Sequence, residues 1–388
     1  MIDAIVRANP SYDLLLLDSL SSAERQFVGD TDQRVEVYGY LRPHVGSGLQ
    51  WRSVSPDVAL LLLTLATPGR VPAYLRARLG GTTSVTVQRL VLDGVLEIER
   101  DGKFVSGSRS IDTTNSDRRE AGKISQQSVA ALQYAQTLEG LAVEELAMRL
   151  YCYGRRPLSP SWQSRLANDD AIEEFLGLNP NGAVRNVLNA EWTEARTGGI
   201  RFWRMWVPRD IKDDTDAAVY KLYVSPGCDA LPAALQATAE TLSGVRGVLG
   251  FKVGRDLSGL SRPDKLVAYF SRMDTLQLTA AHLRRVLQGS SPHGVPFTAE
   301  ITRDGLLSWG IDPPEAQRML EGGSEGSWRV WIVNRLADYL IAAQGQSVGE
   351  NCWQFALNRL RLEGLDTDTW VPTSRLWAES TATGCRAY

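Results

Sequence analysis

The chain has 388 residues, 43% of them hydrophobic and 22% charged, a balance typical of a globular protein with two or three domains and not of a disordered one. Its formal net charge of −3 argues against a general nucleic-acid binder, which would carry a basic excess. The four cysteines lack the spacing of a disulfide framework or zinc site, and the first residues lack the features of a signal peptide or membrane span, so we expect a cytoplasmic protein that binds neither metal nor membrane.

Residues 1–106 show the pattern of a winged-helix-like module. A strand-like run, RVEVYGYL, precedes three helical segments, and the third of these ends at Gly94. The next segment, VLEIERDGKFVSG, predicts a hairpin that turns at Asp101 and Gly102. Winged-helix modules bind DNA through a basic helix, but the third helix here carries little positive charge, which disfavours a DNA regulator.

The order of strands and helices and the ending LVLDGVLEIE also resemble the peptide-recognition element of enzymes that modify ribosomally made peptides. The resemblance implies that a leader peptide adds a strand beside the sheet of the module. The alternative is purely structural: the hairpin packs on the rest of the protein and binds no peptide.

Residues 107–122 are polar and aperiodic, which predicts a linker to a second domain at 123–388. At 123–150, apolar residues at helical spacing predict one long helix. Farther on, strand patterns (IRFWRMWVPR, KLYVSP, FKVG, KLVAYFS, PFTAEI and LLSWG) alternate with helices near 229–243, 275–288, 325–345 and 349–361. The second domain is therefore predicted to be α+β with a mixed or antiparallel sheet. The polar tail from 366 is expected to lie over a surface or to be partly loose.

Three of these strand patterns are interrupted by cations. They read VYKLYVSP at 219–226, GFKVGRD at 250–256 and SRPDKLVAYFS at 261–271. Lysine is normally kept off a half-buried sheet face, because removing water from an ammonium group is costly. Several cations that converge on one sheet indicate an anion, and we expect a phosphate-handling site.

The order KLYVSP, helix, FKVG, RPDKLVAYF, GVPFTAEI and SWRVWIVNRLADYL resembles the HopA family of type III effector-like proteins over about 130–370. Bacterial members recur in gene clusters for thioamitides and class V lanthipeptides, paired with a kinase-like phosphotransferase. The resemblance implies dehydration in two steps. A separate kinase phosphorylates Ser or Thr of a precursor peptide, and this protein eliminates the phosphate to leave dehydroalanine or dehydrobutyrine.

A more distant similarity links the same strands to OspF-type phosphothreonine lyases. Lys221, Lys252, Arg262 and Tyr269 match the order of a lysine strand, a base lysine, an arginine and a strand that ends in Tyr. Where those lyases have a histidine acid two residues after the first lysine, this chain has Tyr223. The identity of the acid therefore stays open.

β-Elimination needs a base for the α-proton, a cationic clamp for phosphate and a stabiliser for the enolate, but no metal or organic cofactor. Lys252, between Phe251 and Val253, suits the base, because burial favours its neutral form. Arg262 and Arg329 suit the clamp, since a guanidinium group grips phosphate oxygens in pairs. Lys221 is assigned to the clamp or the carbonyl.

Candidates for the acid that protonates the leaving phosphate are Tyr223 and His293, with Tyr269 to orient either. Each assignment has a structural alternative, from a strand lysine that reaches solvent to a histidine in a plain loop. Lys265 is interpreted as an edge-strand lysine and Asp312 as a turn former.

The sequence contains no ATP-binding loop and no kinase motif, so a separate kinase is expected to supply the substrate. The expected partners are the precursor peptide, through its leader and phosphorylated core, and that kinase. A rival hypothesis from another class is a non-catalytic protein that binds the peptide or the kinase, or an effector-like interaction protein.

Overall fold

The computed structural model describes residues 3–28, 37–110, 121–195, 202–210, 219–313, 326–344, 351–377 and 385–387. The chain divides into two compact units. The first comprises Met1–Arg118, Arg335–Leu365 and Thr373–Tyr388, and the second comprises Arg119–Asn334 and Asp366–Pro372. The sequence prediction placed all of 123–388 in one domain. The division into two compact units places two segments of that range, Arg335–Leu365 and Thr373–Tyr388, in the first unit. Most of the predicted linker lies outside the described residues.

The strands are β1 (Val6–Ala8), β2 (Tyr12–Leu16), β3 (Gly39–Pro43), β4 (Arg52–Val54), β5 (Leu96–Arg100), β6 (Lys103–Val105), β7 (Trp192–Glu194), β8 (Trp203–Pro208), β9 (Tyr220–Val224), β10 (Val248–Gly254), β11 (Leu266–Phe270), β12 (Ala299–Glu300), β13 (Leu307–Ile311), β14 (Leu365–Asp366), β15 (Val371–Pro372) and β16 (Cys385–Ala387). The helices are α1 (Ser22–Val28), α2 (Pro56–Thr64), α3 (Ala73–Leu79), α4 (Thr83–Leu92), α5 (Lys123–Ala135), α6 (Val143–Cys152), α7 (Pro160–Arg165), α8 (Asp169–Phe175), α9 (Ala183–Glu191), α10 (Leu231–Leu242), α11 (Leu257–Leu260), α12 (Met273–Val286), α13 (Trp328–Gln344) and α14 (Cys352–Leu362). Short 3-10 turns occur at Leu17–Ser19, Gly80–Thr82 and Ser108–Ser110. None of the helices in the described ranges is long and apolar enough to span a bilayer.

The first unit has the three helices and the hairpin that the sequence predicts. Ser55 begins α2 by accepting a hydrogen bond from the amide of Val58, and β5 pairs with β6 through a turn in which Asp101 and Gly102 both have positive φ. A second, four-stranded sheet has the order β16-β4-β3-β2. The tail therefore contributes a strand, β16, that the sequence did not predict. The winged-helix and peptide-recognition assignments stay predictions.

The prediction of one continuous helix at 123–150 is wrong. The structure breaks it into α5 and α6, with Gly140 at a φ of 70° between them. α5 ends at Ala135 and α6 begins at Val143, although the apolar spacing continues between them. Gly140 adopts the left-handed conformation of this connecting segment without the clash that a side chain would cause. α6 is therefore a separate helix, and Tyr151 and Cys152 lie at its C-terminal end.

The second unit is built on a seven-stranded sheet with the order β12-β13-β9-β11-β10-β8-β7. Every pair of neighbouring strands in it is antiparallel, which resolves the predicted alternatives in favour of an antiparallel sheet. One face is apolar and joins residues of α9, α10 and α12 in a single core, with Leu222, Phe251, Val253, Leu266 and Phe270 as strand members. This apolar face is the reason the sheet is stable in its observed register.

The opposite face of the same sheet carries the polar residues. Lys252 is paired with Val267, and Val267 is paired with Tyr223 across the other edge of β11. Tyr269 is paired with Lys221. Because cross-strand partners point to the same side of a sheet, both lysines and both tyrosines project from one face.

Gly310 lets a helix approach this polar face closely. It is paired with Lys221 in the sheet, and a Cβ atom on Gly310 would lie 2.5 Å from Cδ1 of Trp328. Trp328 is fully buried and donates its indole hydrogen to the carbonyl oxygen of Phe297 at 3.0 Å. The first turn of α13 is therefore held directly on β13, with Arg329 next in sequence.

We predict that Gly310→Ala destabilises the protein by about 1–3 kcal/mol, because the added methyl group displaces the Trp328 ring. Thermal or denaturant unfolding measures the change. Gly81→Ala is the control, since nothing lies within 4 Å of the added Cβ there and Gly81 has no positive φ. Equal stability of Gly310→Ala and Gly81→Ala would contradict the close packing of Trp328 on β13.

Candidate active site

Lys221 lies on the polar face of the sheet next to a carboxylate. Its Nζ is 2.6 Å from Oδ1 of Asp312, and both side chains are largely buried. The same Oδ1 accepts a hydrogen bond from the amide of Trp328 at 3.1 Å. Asp312, which the sequence suggested as a turn former, thus also fixes Lys221 and the first turn of α13.

Arg262 and Arg329 share one buried carboxylate, Asp264. Arg262 donates from Nε to Oδ1 and from Nη2 to Oδ2, both at 2.9 Å. Arg329 donates from Nη1 to the same Oδ2 at 3.0 Å. Arg262 is 8% exposed and Arg329 only 2%, so the latter is not the surface residue that its place in a helix allowed. The carboxylate fixes two guanidinium groups side by side.

Tyr151, in the last turn of α6, contacts both arginines. Arg262 donates from Nη2 to the phenol oxygen at 2.8 Å, and Arg329 donates from Nη2 to the backbone carbonyl of Tyr151 at 2.9 Å. The two guanidinium carbons lie 5.2 Å and 4.6 Å from the centre of the Tyr151 ring. Carbonyls in the last turn of a helix have no partner within the helix, so Arg329 satisfies one of them.

Lys252 occupies the centre of this group without a counter-ion. Its Nζ is 4.3 Å from the centre of the Trp203 ring and 5.6 Å from that of Tyr269. Arg262 lies over the same Trp203 ring at 4.9 Å. Within the part of the chain that the structure describes, Lys252 has neither a hydrogen bond nor a carboxylate at ion-pair distance. It differs in this from Lys221, Arg262 and Arg329.

Burial is the main reason that the pKa of Lys252 is lowered to about 8, and the charges of Lys221 and Arg262 lower it further against the opposing effect of Asp264. At that pKa, Lys252 is neutral in about a tenth of the molecules at pH 7. A neutral lysine amine is a base, and a solvated one would be almost fully protonated.

The neighbouring acids respond to the same surroundings. Burial alone would raise the pKa of Asp264, but the charges of Arg329 and Arg262 outweigh it and hold that pKa well below its usual range. Burial also raises the pKa of both Tyr223 and Tyr269, and the charge of Asp312 adds to the effect. Both phenols are therefore neutral at physiological pH.

The group carries surplus positive charge. Four basic side chains face two carboxylates, which leaves a net charge of +2 when Lys252 is protonated and +1 when it is neutral; the members are Lys221, Lys252, Arg262, Arg329, Asp264 and Asp312. Surplus charge in a poorly hydrated place is unfavourable unless an anion balances it. The arrangement suits a phosphate monoester dianion.

His293 belongs to a different buried pair. Its Nε2 is 2.6 Å from the carbonyl oxygen of Gly154, and its Nδ1 is 2.8 Å from Nζ of Lys265. A carbonyl can only accept, so Nε2 carries the hydrogen and Nδ1 accepts from Lys265. Lys265 also donates to the carbonyl of Pro226 at 3.0 Å and is 1% exposed, so it is no edge-strand lysine at the surface. Burial, followed by the charge of Lys265, lowers the pKa of His293 to about 3.

The structure thus gathers six of the seven sequence-predicted residues on or over one face of the sheet, and His293 lies apart from them. They are Lys221, Tyr223, Lys252, Arg262, Tyr269 and Arg329. Sequence reasoning missed Asp264, Tyr151 and Trp203. Asp264 stands in RPDK, and a carboxylate between two cations was a usable signal for an ion pair. Tyr151 and Trp203 gave none, because each comes from an element distant in sequence from the cationic strands.

The described ranges contain no group of three or more His, Cys, Asp or Glu side chains that could hold a metal ion.

No family model matches the chain, and no curated protein matches it in sequence. Among solved structures, it is similar to an effector protein from Pseudomonas syringae pv. syringae strain 61, with a TM-score of 0.38 and 14% identity over 64% of this chain and 98% of that one. It is also similar to the type III effector and phosphothreonine lyase OspF from Shigella flexneri, with a TM-score of 0.28 and 13% identity over 39% and 82% of the two chains. For the VirA (SpvC) phosphothreonine lyase effector of Chromobacterium violaceum the TM-score is 0.26, with 16% identity over 42% and 99%.

We predict that Asp264→Asn lowers the free energy of unfolding at neutral pH by about 3–5 kcal/mol, because two buried guanidinium groups lose their counter-ion. The pKa of Asp264 is depressed in the folded state, so its contribution is complete above the ordinary Asp pKa of 3.8 and is lost as pH falls towards the lower folded value. Denaturant unfolding at pH 7 and in acid should show the difference from wild type shrinking below pH 3.8.

The matched control is Asp169→Asn, which removes the charge from an exposed ion pair with Arg255 at 3.2 Å. We expect almost no change there. A deficit in Asp264→Asn that stays constant into acid would contradict the depressed pKa.

Proposed function

We propose that this protein is a phosphoserine or phosphothreonine lyase. It removes phosphate from a peptide that a separate kinase has phosphorylated, and leaves dehydroalanine or dehydrobutyrine. The observation that carries the proposal is Lys252, a lysine with a lowered pKa and no ion-pair partner among the described residues, next to two arginines fixed on one carboxylate.

Lys252 is the base in this proposal. The α-proton of a phosphorylated residue is weakly acidic, so the base must be neutral and close to it. Burial supplies the neutral fraction, and the contact of Nζ with the Trp203 ring keeps the amine against an aromatic surface rather than in bulk water. Transfer of the α-proton to the amine leaves the electron pair to form the new Cα–Cβ double bond as the Cβ–O bond breaks.

Arg262 and Arg329 form the clamp for the phosphate group. Asp264 and Tyr151 fix both guanidinium groups before substrate binds, so little side-chain freedom is lost on binding. Their positive charge also favours the departing phosphate over the bound ester, because negative charge on the oxygens increases as the bond breaks.

Lys221 completes the positive face. Asp312 holds its ammonium group at 2.6 Å and accepts one of its three hydrogens. The remaining hydrogens can donate to a phosphate oxygen or to the substrate carbonyl, where they stabilise the enolate. Tyr269 lies between the two lysines, with its ring centre 5.5 Å from Nζ of Lys221 and 5.6 Å from that of Lys252.

The proposed setting is the cytoplasmic biosynthesis of a lanthipeptide-type ribosomal peptide. The chain has no ATP-binding motif, so the phosphopeptide must come from a separate kinase. The first unit is the proposed holder of the leader peptide by strand addition, because β2 and β6 are edge strands of its two small sheets.

We predict that the purified protein releases the mass of one phosphoric acid from a phosphoserine or phosphothreonine precursor peptide, as read by mass spectrometry. Lys252→Ala abolishes the release, because it removes the base. Lys103→Ala, which removes an exposed lysine of β6 in the other unit, leaves the elimination from a leaderless core peptide unchanged. Full turnover by Lys252→Ala removes Lys252 from the mechanism, and binding of the peptide without elimination by wild type favours a non-catalytic partner.

The rate should rise with pH. Only neutral Lys252 accepts the α-proton, so kcat/KM increases about tenfold per pH unit below the Lys252 pKa of about 8 and levels off above it. Initial rates on the phosphopeptide between about pH 6.5 and 9 measure this rise in kcat/KM. The range lies above the second pKa of the phosphate group, so the charge of the substrate stays nearly constant. A profile without an inflection in this range would show that the base is another group.

A further inference from the structure

Expulsion of phosphate requires a proton donor that the proposed base does not supply. As the bond from Cβ to the bridging oxygen breaks, that oxygen gains negative charge, and a positioned acid lowers the barrier by protonating it. His293 has its one ring hydrogen bound to the carbonyl of Gly154. Tyr223 is 3% exposed, burial raises its pKa well above the usual range, and among the described residues no cation donates to its oxygen.

Tyr151 has a hydroxyl hydrogen in a suitable place. Because Nη2 of Arg262 donates to the phenol oxygen at 2.8 Å, the oxygen acts as acceptor in that bond and its own hydrogen points elsewhere. Among the residues that the structure describes, no acceptor receives this hydrogen. The hydroxyl therefore offers a free donor at the edge of the two guanidinium groups that form the proposed clamp.

We propose that Tyr151 is the general acid of the elimination, an assignment that rests on the proposed lyase function. Neutral Lys252 takes the α-proton, the Cα–Cβ double bond forms, and the Cβ–O bond breaks with its electron pair going to oxygen. Tyr151 gives its hydroxyl proton to that oxygen. The products are the dehydro residue, hydrogen phosphate, protonated Lys252 and the Tyr151 phenolate, and proton exchange with water restores both side chains.

The surroundings of Tyr151 stabilise the phenolate that this step creates. Its oxygen already accepts a hydrogen bond from Arg262, and a bond from a cation strengthens when the acceptor becomes an anion. The Arg329 guanidinium carbon lies 4.6 Å from the ring centre and adds a second positive charge. Arg329 also donates to the backbone carbonyl of Tyr151, so Tyr151 is held at its hydroxyl and at its backbone.

The test varies the leaving group. An S-phosphocysteine peptide keeps the phosphoryl group for the clamp but expels a weakly basic sulfur that needs no proton. We expect Tyr151→Phe to lower kcat/KM on a phosphoserine peptide by about 10²- to 10⁴-fold and on the matching S-phosphocysteine peptide by less than about tenfold. Arg262→Lys, which weakens the clamp, should lower both values together.

The control for loss of a phenol is Tyr134→Phe, since Tyr134 is 45% exposed on α5 and should keep wild-type rates on both peptides. Equal losses on the two peptides for Tyr151→Phe, or no loss on either, overturn the proposal. Failure of wild type to eliminate from either peptide overturns the lyase function and this role with it, whereas an active wild type with an unselective Tyr151→Phe overturns the role alone.

A second measurement applies even where Tyr151→Phe folds poorly. Tyr151→3-fluorotyrosine keeps the hydroxyl and nearly the same shape but is a stronger acid. Because a stronger acid transfers its proton more readily, kcat on the phosphoserine peptide at pH 7 should rise in this variant, while kcat on the S-phosphocysteine peptide should not. Equal changes on the two peptides, or no change on the phosphoserine peptide, overturn the assignment, since a merely positioning phenol would not respond to its acidity.

Discussion

The bond between Asp264 and its two arginines is the constraint on which the site depends. Asp264 is a buried carboxylate with a depressed pKa. It binds the Arg262 guanidinium group through both oxygens and the Arg329 guanidinium group through one. These bonds fix three segments at once: the residues just before β11, the first turn of α13 and, through Tyr151, the end of α6. Such a group is costly to bury and is stable only while complete. It is better explained by the demand for two preorganised cations than by stability alone, because an apolar cluster would stabilise the same three segments at lower cost.

Two buried lysines show what separates a reactive amine from a structural one. Burial lowers the pKa of Lys252 and of Lys265 alike, to about 8 in each case. Lys265, however, donates its hydrogens to the Pro226 carbonyl and to His293. Lys252 lies over the rings of Trp203 and Tyr269 and, among the described residues, has no hydrogen bond or ion pair. A lowered pKa therefore does not identify a base without the contacts around it, and the pair at Lys265 serves to join the loops that contain Pro226, His293 and Gly154.

The sequence predicted much of this site because strand periodicity is local. Lys221, Tyr223, Lys252 and Tyr269 alternate with apolar neighbours, and an antiparallel register then places them on one face without further information. Long-range contacts were not predictable in this way. The turn of α6 at Tyr151 depends on the break at Gly140, which apolar spacing did not reveal, and the depth of Arg329 depends on Gly310 admitting Trp328. The sequence assigned Arg329 to the clamp but did not predict its burial, and His293, isolated in a loop, gave no sign that Lys265 would bind it.

Charge balance connects these features to the chemistry. With Lys252 neutral the group has a surplus of one positive charge, and with Lys252 protonated it has two. A phosphate monoester dianion is thus best matched to the protonated site, which attracts it, whereas the reaction needs the neutral amine. The lowered pKa of Lys252 reconciles the two demands, because near neutral pH the proton is lost at small cost. A lysine bound to a carboxylate would lose that ion pair on giving up its proton, and a cluster without carboxylates would repel its own cations. Asp264 and Asp312 therefore set the charge at which one site can both hold the anion and supply the base.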